Sequence, residues 1–451
     1  MVTEQLAVVI LAAGMGTRMK SDLPKVMHAI AGRPMIRHLK ETVDGLGPAR
    51  VVVVVGPGME CVAQAVAPAV TVVQHDRQGT GHAVMQARSV LGDFQGTVLV
   101  LYGDTPLLTC QTLERLLAER HGPKDPAVVV LGFKPDDPGH YGRLVVGGEG
   151  LKAIIEWKDS TPEQRSIPLC NSGVMALDGR RMWALIDRLN NDNAKGEYYL
   201  TDLVALARAD GACCSFVLGE VEELIGVNSR SELASAEDIA QRRLRAAAMA
   251  DGATLVAPET VWLSWDTRLG RDVVVHPHVV FGPGVKVGDG VTIKGFCHLE
   301  GCAIADGAEV GPFARLRPGA EIGQAAHIGN FVEVKKATIE AGAKVNHLTY
   351  VGDARVGAKA NIGAGTITCN YDGFDKAFTD IGEGAFIGSN SSLVAPVKIG
   401  AGAIVGAGSV VTKEVSAGAL AVARGSQMEL AGWADRFRTR KTAERAGKKK
   451  T

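Results

Sequence analysis

A ladder of aliphatic residues spaced six apart constrains the fold of this chain more than any other feature. It runs Val275, Phe281, Val287, Ile293 and Leu299, drops one residue, and continues Ile304, Val310, Leu316, Ile322, Ile328 and Val334. One-residue slips precede Ile339, Val345 and Val351, then Val356 and Ile362, and the ladder resumes at Ile381, Ile387, Leu393, Ile399, Val405 and Val411. Glycine commonly follows the apolar residue, as in IGNFVE, IGAGTI, IGEGAF and VGAGSV. Six residues cannot complete two helical turns with one face buried. They can form one flat side of a triangular coil, with the aliphatic residue inward and small residues at the corners. Three sides make a coil of about 18 residues, and stacked coils make a parallel β-helix. One interruption, TCNYDGFDKAF between Ile362 and Ile381, must project from the coil, and its Asn, Tyr, Asp and Lys suit it to make contacts.

The first 228 residues read differently. Short apolar runs at Ala7–Ala13, Val51–Val55, Val70–Val73, Val98–Tyr102 and Ala127–Leu131 alternate with helical patterns. Continuous apolar strands of this kind predict a doubly wound, Rossmann-like α/β domain with a parallel sheet covered on both faces. Ligands in such folds bind beyond the carboxyl ends of the strands. Residues 229–249 are Ala-rich, charged and free of Gly and Pro, and Asp251-Gly252 follows as a stop signal, so they predict a helix linking two domains. The expected division is therefore 1–228, a helical linker at 229–249, and a β-helix with a basic tail at 250–451.

Composition narrows the function. Lys+Arg and Asp+Glu are 49 each, and this balance disfavours nucleic acid as a partner. The eight cysteines form no C-x-x-C pair and read as reduced thiols rather than disulfides or a zinc site. The run Leu6–Ala13 is too short to cross a bilayer and lacks a preceding basic region; with no longer apolar segment elsewhere, a soluble cytoplasmic protein with no membrane insertion is expected. The tail after Trp433 is rich in Lys and Arg, and Lys448–Lys450 read as a solvated end.

The first strand leads into LAAGMGTRMKSDLPK, Leu11 to Lys25. Gly14 and Gly16 let backbone approach a phosphate, N–H groups at the start of the next helix face the anion, and Arg18 and Lys25 add positive charge. Met19 departs from the dinucleotide-binding pattern, and no G-K-[ST] follows as in a Walker A loop. A carboxylate at a strand's end, Asp104 in Tyr102-Gly-Asp104, is placed either to bind Mg²⁺ on phosphate oxygens or to cap the next helix.

This segment resembles the signature of the sugar-1-phosphate nucleotidylyltransferases. With the hexapeptide half, the chain resembles the bacterial bifunctional uridylyltransferase/acetyltransferases that make UDP-N-acetylglucosamine. The resemblance covers both domains and the linking helix. It implies a left-handed β-helix, a homotrimer formed through it, and small-molecule substrates. It also implies two reactions: acetyl transfer from acetyl-CoA to glucosamine 1-phosphate, then uridylyl transfer from UTP with release of pyrophosphate. UTP and the product would contact Leu11, Ala12, Gly14, Lys25, Gln74, Gly79, Thr80 and Asn228, with Gln74 in QHDRQGTGH at the uracil edge. Asp104 and Asn228 would hold Mg²⁺, Arg18 and Lys25 would act on the phosphates, and Gly142, Glu156 and Asn171 would contact the sugar. Tyr198 and Tyr199 match a motif lining the sugar pocket.

In the second half, Arg317 and Lys335 are 18 residues apart, one coil, and so can form an anion clamp; His347 beside them is a candidate base for the substrate amine, and Glu333 for orienting its imidazole. The resemblance adds Tyr350, Asn361 and Lys376 for the sugar phosphate, and Ala364, Asn370, Tyr371, Ser389, Ala407 and Arg424 for acetyl-CoA. Two rivals remain at this point: a single-function nucleotidylyltransferase with a structural or regulatory β-helix, and a scaffold protein.

Overall fold

The computed structural model describes residues 5–148 and 150–448. They form two compact units, one of residues up to Ala247 together with Leu263–Asp266, and the other of the remainder.

The first unit is built on a nine-stranded sheet. In chain order its strands are β1 (Leu6–Ala12), β2 (Arg50–Val55), β3 (Val70–Val73), β4 (Thr97–Tyr102), β5 (Val128–Phe133), β6 (Arg143–Gly147), β7 (Gly150–Ile155), β8 (Cys170–Asp178) and β9 (Cys214–Leu218). The main path runs β9-β5-β8-β4-β1-β2-β3, with the β6–β7 hairpin attached to β8. The strands alternate their side chains between two cores: Ala7 and Val9 pack on one face, Val8, Ile10 and Ala12 on the other. Both faces are covered by helices, so the strands carry unbroken apolar sequence. Four strands, β1 to β4, run parallel, as does β9 with β5, but β8 is antiparallel to both β4 and β5. The wholly parallel sheet expected from the sequence is therefore a mixed one. An antiparallel central strand buried on both faces has the same apolar texture as a parallel one, and only pairing separates them.

The helix Arg230–Ala250 buries Ala236, Ile239 and Ala240 against Ile30, Met35, Leu107 and Val227. Gln241, fully buried on it, exchanges two hydrogen bonds with the backbone of Leu263, at 2.7 and 2.9 Å. The helix thus lies on the first unit along much of its length rather than standing free.

In the second unit all 22 rungs of the ladder, Val275 through Val411, point inward and are buried. Coils pair in parallel register: Val275 lies beside Ile293, Phe281 beside Leu299, and Val334 beside Val351. The spacing between stacked rungs is 17 or 18 residues, and it widens to 25 between Ile362 and Ile387, where the inserted loop leaves the coil. One corner repeatedly takes left-handed backbone, at His278, Phe296, Phe313, Phe331 and Leu348, and the first four rings stack 4.9 to 5.1 Å apart on the outside. The residues Trp433–Lys448 form a helix, exposed over 433–447, consistent with its Ala, Arg and Lys content. The solvated end expected at 448–450 lies, for Lys449 and Lys450, outside the described residues.

Candidate functional sites

The cleft of the first unit opens where β1, β3 and β4 end, and Leu11, Ala12, Gly14, Lys25, Gln74, Arg77, Gly79, Thr80, Tyr102, Asp104 and Glu197 line it. After β1 the chain turns through Gly16, whose φ is 71°, and a Cβ there would stand 2.6 Å from the Cβ of Lys25. Glycine at 16 is what allows Lys25 to fold back beneath the loop. The Lys25 ammonium then pairs with the Asp104 carboxylate and donates to Asn228 Oδ1 at 2.8 Å. Both partners are held by backbone. Val227 N–H donates to the Asp104 carbonyl at 2.9 Å, and Gly103 N–H to the Leu11 carbonyl at 2.9 Å. Asn228 Nδ2 donates to the Gly226 carbonyl at 3.1 Å.

Asp104 and Asn228 thus direct a carboxylate and an amide oxygen at one cation. That donor pair suits a hard divalent ion, which keeps water and phosphate oxygens as its remaining ligands. Among the described residues no cluster of three or more His, Cys, Asp or Glu offers a fuller metal cage.

Gln74 is buried beyond β3, its Nε2 donating to the Gly79 carbonyl at 3.2 Å and meeting His82 Nδ1 at 3.2 Å. Gly79 has φ 103°, and a Cβ would meet the Tyr198 carbonyl oxygen at 2.7 Å. Tyr198 is strapped to this turn through Gly81 N–H to its carbonyl and its own N–H to Gln78, both 2.8 Å. Thr80 Oγ1 accepts from Leu200 N–H at 3.2 Å. Burial pushes the Tyr102 hydroxyl above the usual range, against the hydrogen bond from Thr80.

The remaining sugar-side candidates fall on neighbouring strands. Asn171 is the second residue of β8, its N–H bonded to the Gly142 carbonyl at 2.8 Å and its Oδ1 accepting from Gly173 N–H at 2.9 Å. A Cβ at Gly173 would strike the Tyr102 ring at 2.6 Å, so the N-S-G sequence marks a close backbone passage. Glu156 accepts from Thr201 Oγ1 at 3.2 Å, and burial raises its carboxyl pKa against the pull of Lys195. Tyr199 is buried. Arg18 is exposed on the short turn Thr17–Met19 and is not among the lining residues. Two charged lining residues escaped the sequence reading: Arg77, whose Nε donates to the Ala13 carbonyl at 3.2 Å, and Glu197. Both sit inside segments already singled out, and only the closing of those segments on one cleft distinguishes them.

In the second unit, Arg315 and Leu316 pair with Glu333 and Val334, which puts Arg317 and Lys335 side by side on adjacent coils. Lys376 from the inserted loop joins them: its hydrogen bond and charge, followed by the charge of Arg317, hold the Lys335 ammonium below its usual pKa. Glu333 accepts from Arg317 Nη1 at 2.8 Å. The group at the His347 ring is instead Asn330, with Oδ1 2.6 Å from Nδ1. The orienting contact expected of Glu333 is therefore made by Asn330. Asn330 lies 17 residues before His347, directly beneath it, whereas Glu333 sits past the corner, beneath Tyr350. Stacking arithmetic applied to His347 points to Asn330.

One corner carries the rest. Gly365 N–H bonds to the His347 carbonyl at 3.2 Å, Asn390 N–H to Ala364 at 2.7 Å, Gly408 N–H to Ser389 at 2.8 Å, and Arg424 Nη1 to the Ala407 carbonyl at 2.7 Å. His347, Ala364, Ser389, Ala407 and Arg424 thus follow one another up successive coils, leaving an edge open to an extended ligand. Tyr350 and Asn361 lie half-buried on coils of the same stack. Asn370 is buried and donates to Asp353 Oδ2 at the root of the loop. Tyr371 is exposed, its hydroxyl donating to the Gly373 carbonyl at 2.6 Å.

A cleft lined by a glycine-rich loop and a lysine at the strand ends of an α/β sheet, together with a hexapeptide coil bearing a histidine and a cation cluster, is the architecture of a two-domain transferase. Residues 8–192 match the MobA-like NTP transferase domain family, and residues 266–301 and 378–413 match the bacterial transferase hexapeptide family. A relative in Paramagnetospirillum magneticum named "Bifunctional protein GlmU" is 72% identical over 99% of this chain and 100% of its own length. Relatives of the same name in Rhodospirillum rubrum and Rhizorhabdus wittichii are 65% and 62% identical over 96% and 100% of this chain, and 97% and 100% of theirs. The chain belongs to the bifunctional GlmU family. It is an enzyme with two transferase activities, an acetyltransferase in its hexapeptide half and a uridylyltransferase in its N-terminal half, serving UDP-N-acetylglucosamine synthesis. The rivals of a lone nucleotidylyltransferase and of a scaffold fall with this membership.

Proposed function

We propose that the two reactions are carried by the two clefts as follows, and the observation that best supports the assignment is the meeting of Lys25, Asp104 and Asn228 at one point beyond β1 and β4. UTP lies along Leu11, Ala12 and Gly14, with its uracil at Gln74, Gly79 and Thr80. N-acetylglucosamine 1-phosphate lies against Gly142, Glu156 and Asn171. Its phosphate oxygen attacks the α-phosphorus, that oxygen forms the new P–O bond, and pyrophosphate departs. The nucleophile is already an anion, so no strong base is required; the barrier is repulsion between anions. Lys25 and the exposed Arg18 offset it. Mg²⁺ held by Asp104 and Asn228 would supply further neutralisation of phosphate charge.

At the second site Arg317, Lys335 and Lys376 hold the phosphate of glucosamine 1-phosphate. Asn330 Oδ1 is only an acceptor, so the His347 proton sits on Nδ1 and Nε2 is free to take a proton from the substrate amine. The amine nitrogen bonds to the acetyl carbonyl carbon, the C–S bond breaks, and CoA leaves as the thiol or thiolate. Acetyl-CoA lies along Ala364, Ser389, Ala407 and Arg424, with Asn370 and Tyr371 at the inserted loop. The exposed loop and the open corner support a homotrimer in which one chain's projections complete a neighbour's site. No helix among the described residues is long and apolar enough to cross a membrane, and a cytoplasmic location suits both co-substrates.

The test is a crossed pair of variants assayed by mass spectrometry with glucosamine 1-phosphate, acetyl-CoA, UTP and Mg²⁺. Asp104→Ala should stop at N-acetylglucosamine 1-phosphate. His347→Ala should release no CoA yet uridylylate supplied N-acetylglucosamine 1-phosphate. Normal UTP consumption by the first, or normal acetylation by the second, would remove that residue from its role.

A further inference from the structure

The Lys25 ammonium stands between the two oxygen groups that the metal assignment requires. It contacts both the Asp104 carboxylate and Asn228 Oδ1. All three side chains come from different loops, and the lysine and aspartate side chains are 12% and 18% exposed, so the arrangement is a built one rather than a surface encounter. Gly16 is shaped for it, since any side chain there would collide with the Lys25 stem.

We propose that Lys25 is a resident counter-cation that occupies the divalent-metal position until nucleotide arrives, and so makes metal binding conditional on UTP. This rests on the reading of Asp104 and Asn228 as metal ligands. With its nitrogen seated between Asp104 Oδ2 and Asn228 Oδ1, the ammonium takes the position from which a divalent ion would bind that pair of oxygens. Magnesium requires oxygens at about 2.0–2.1 Å in near-octahedral array, and a lysine bonded to both of them fills that space. For metal to enter, the ammonium must leave, and leaving strips the charge-assisted bonds from a largely buried carboxylate. The triphosphate resolves this in one step. It gives the flexible lysine a new anion to pair with, and it supplies the oxygens that complete the metal's shell. Nucleotide and metal therefore each favour the other's binding, and the coupling is reciprocal. Without nucleotide, the lysine keeps the carboxylate paired and the cleft closed to stray divalent ions.

The experiment is direct titration of Mn²⁺ into the full-length protein, followed by electron paramagnetic resonance of free Mn²⁺, so turnover plays no part. Four samples are compared: wild type, wild type with a non-hydrolysable UTP analogue, Lys25→Met, and Asp104→Asn. In the absence of nucleotide, Lys25→Met should bind Mn²⁺ more tightly than wild type by about tenfold or more, the worth of one charge-assisted bond no longer broken. The analogue should tighten wild type strongly and Lys25→Met less. Thermal unfolding of each variant establishes that it is folded, and Lys25→Arg, which keeps the charge, should stay near wild type. If Asp104→Asn loses binding but Lys25→Met binds no better than wild type, the lysine inference is overturned and the metal reading survives. If Asp104→Asn binds as wild type does, the metal reading itself is overturned.

Discussion

Gly79→Ala should disable one activity of this enzyme while sparing the other. Gly79 has φ 103° and ψ 179°, a region open essentially to glycine alone, and placing alanine there costs about 1–3 kcal/mol. Space adds to the strain: the new methyl would lie 2.7 Å from the Tyr198 carbonyl oxygen and 2.9 Å from the Glu197 Cβ. Neither neighbour can retreat freely, because Tyr198 is bonded to Gln78 and Gly81 on either side of the substitution. The turn must therefore open, and the Gln74–Gly79 bond of 3.2 Å goes with it, a net loss of about 1 kcal/mol. Together these give about 2–4 kcal/mol. If the turn yields, that energy appears as a fall in kcat/KM for UTP of about 30- to 900-fold; if it holds, the same energy appears as lost stability of the N-terminal unit. The assay is pyrophosphate release against UTP concentration, beside a denaturant titration. Acetyl-CoA turnover by the same preparation is the internal control and should be unchanged. A variant with wild-type kcat/KM for UTP and wild-type stability would refute the reasoning.

Other consequences are as specific. Asn330→Ala should lower kcat for acetyl transfer about five- to tenfold, with KM for glucosamine 1-phosphate little changed, because it frees the imidazole to take the wrong tautomer; a change confined to KM would contradict this. Lys335 is held below its usual pKa by Lys376 and Arg317, so it gives up its charge at a lower pH than an ordinary lysine does as pH rises. An anion between the three cations restores the proton. Sulfate binding at alkaline pH should thus take up protons, read from the buffer dependence of its calorimetric enthalpy, and Lys335→Ala should abolish the uptake. Ile328→Ala, at a fully buried rung, should cost about 2–5 kcal/mol of β-helix stability in denaturant titration. A cost near zero would mean that the rung does not sit in a close-packed core.

Much of this molecule follows from local pattern. The β-helix was legible because each coil repeats one rule, an aliphatic residue inward every six, and every rung the spacing marks is buried. The place of the glycine-rich loop after β1, at the cleft beyond the strand ends, was legible because glycines and cations stand at fixed offsets after a strand. Five strands were placed from apolar runs alone. Pairing was not legible. The direction of Cys170–Asp178 depends on which neighbours its backbone meets, and its composition is the same either way. The partner expected for His347, Glu333, sits past the corner beneath Tyr350, and the one-residue slips of the coils put Asn330 beneath the imidazole instead. The contact of Lys25 with Asp104 and Asn228 spans 79 and 203 residues. Such contacts are set by the closing of distant loops, whose free energy comes from the cores beneath them rather than from the residues that meet. Sequence determined which chemical groups this protein owns and the repeat that stacks them; tertiary structure alone decided which groups share a charge.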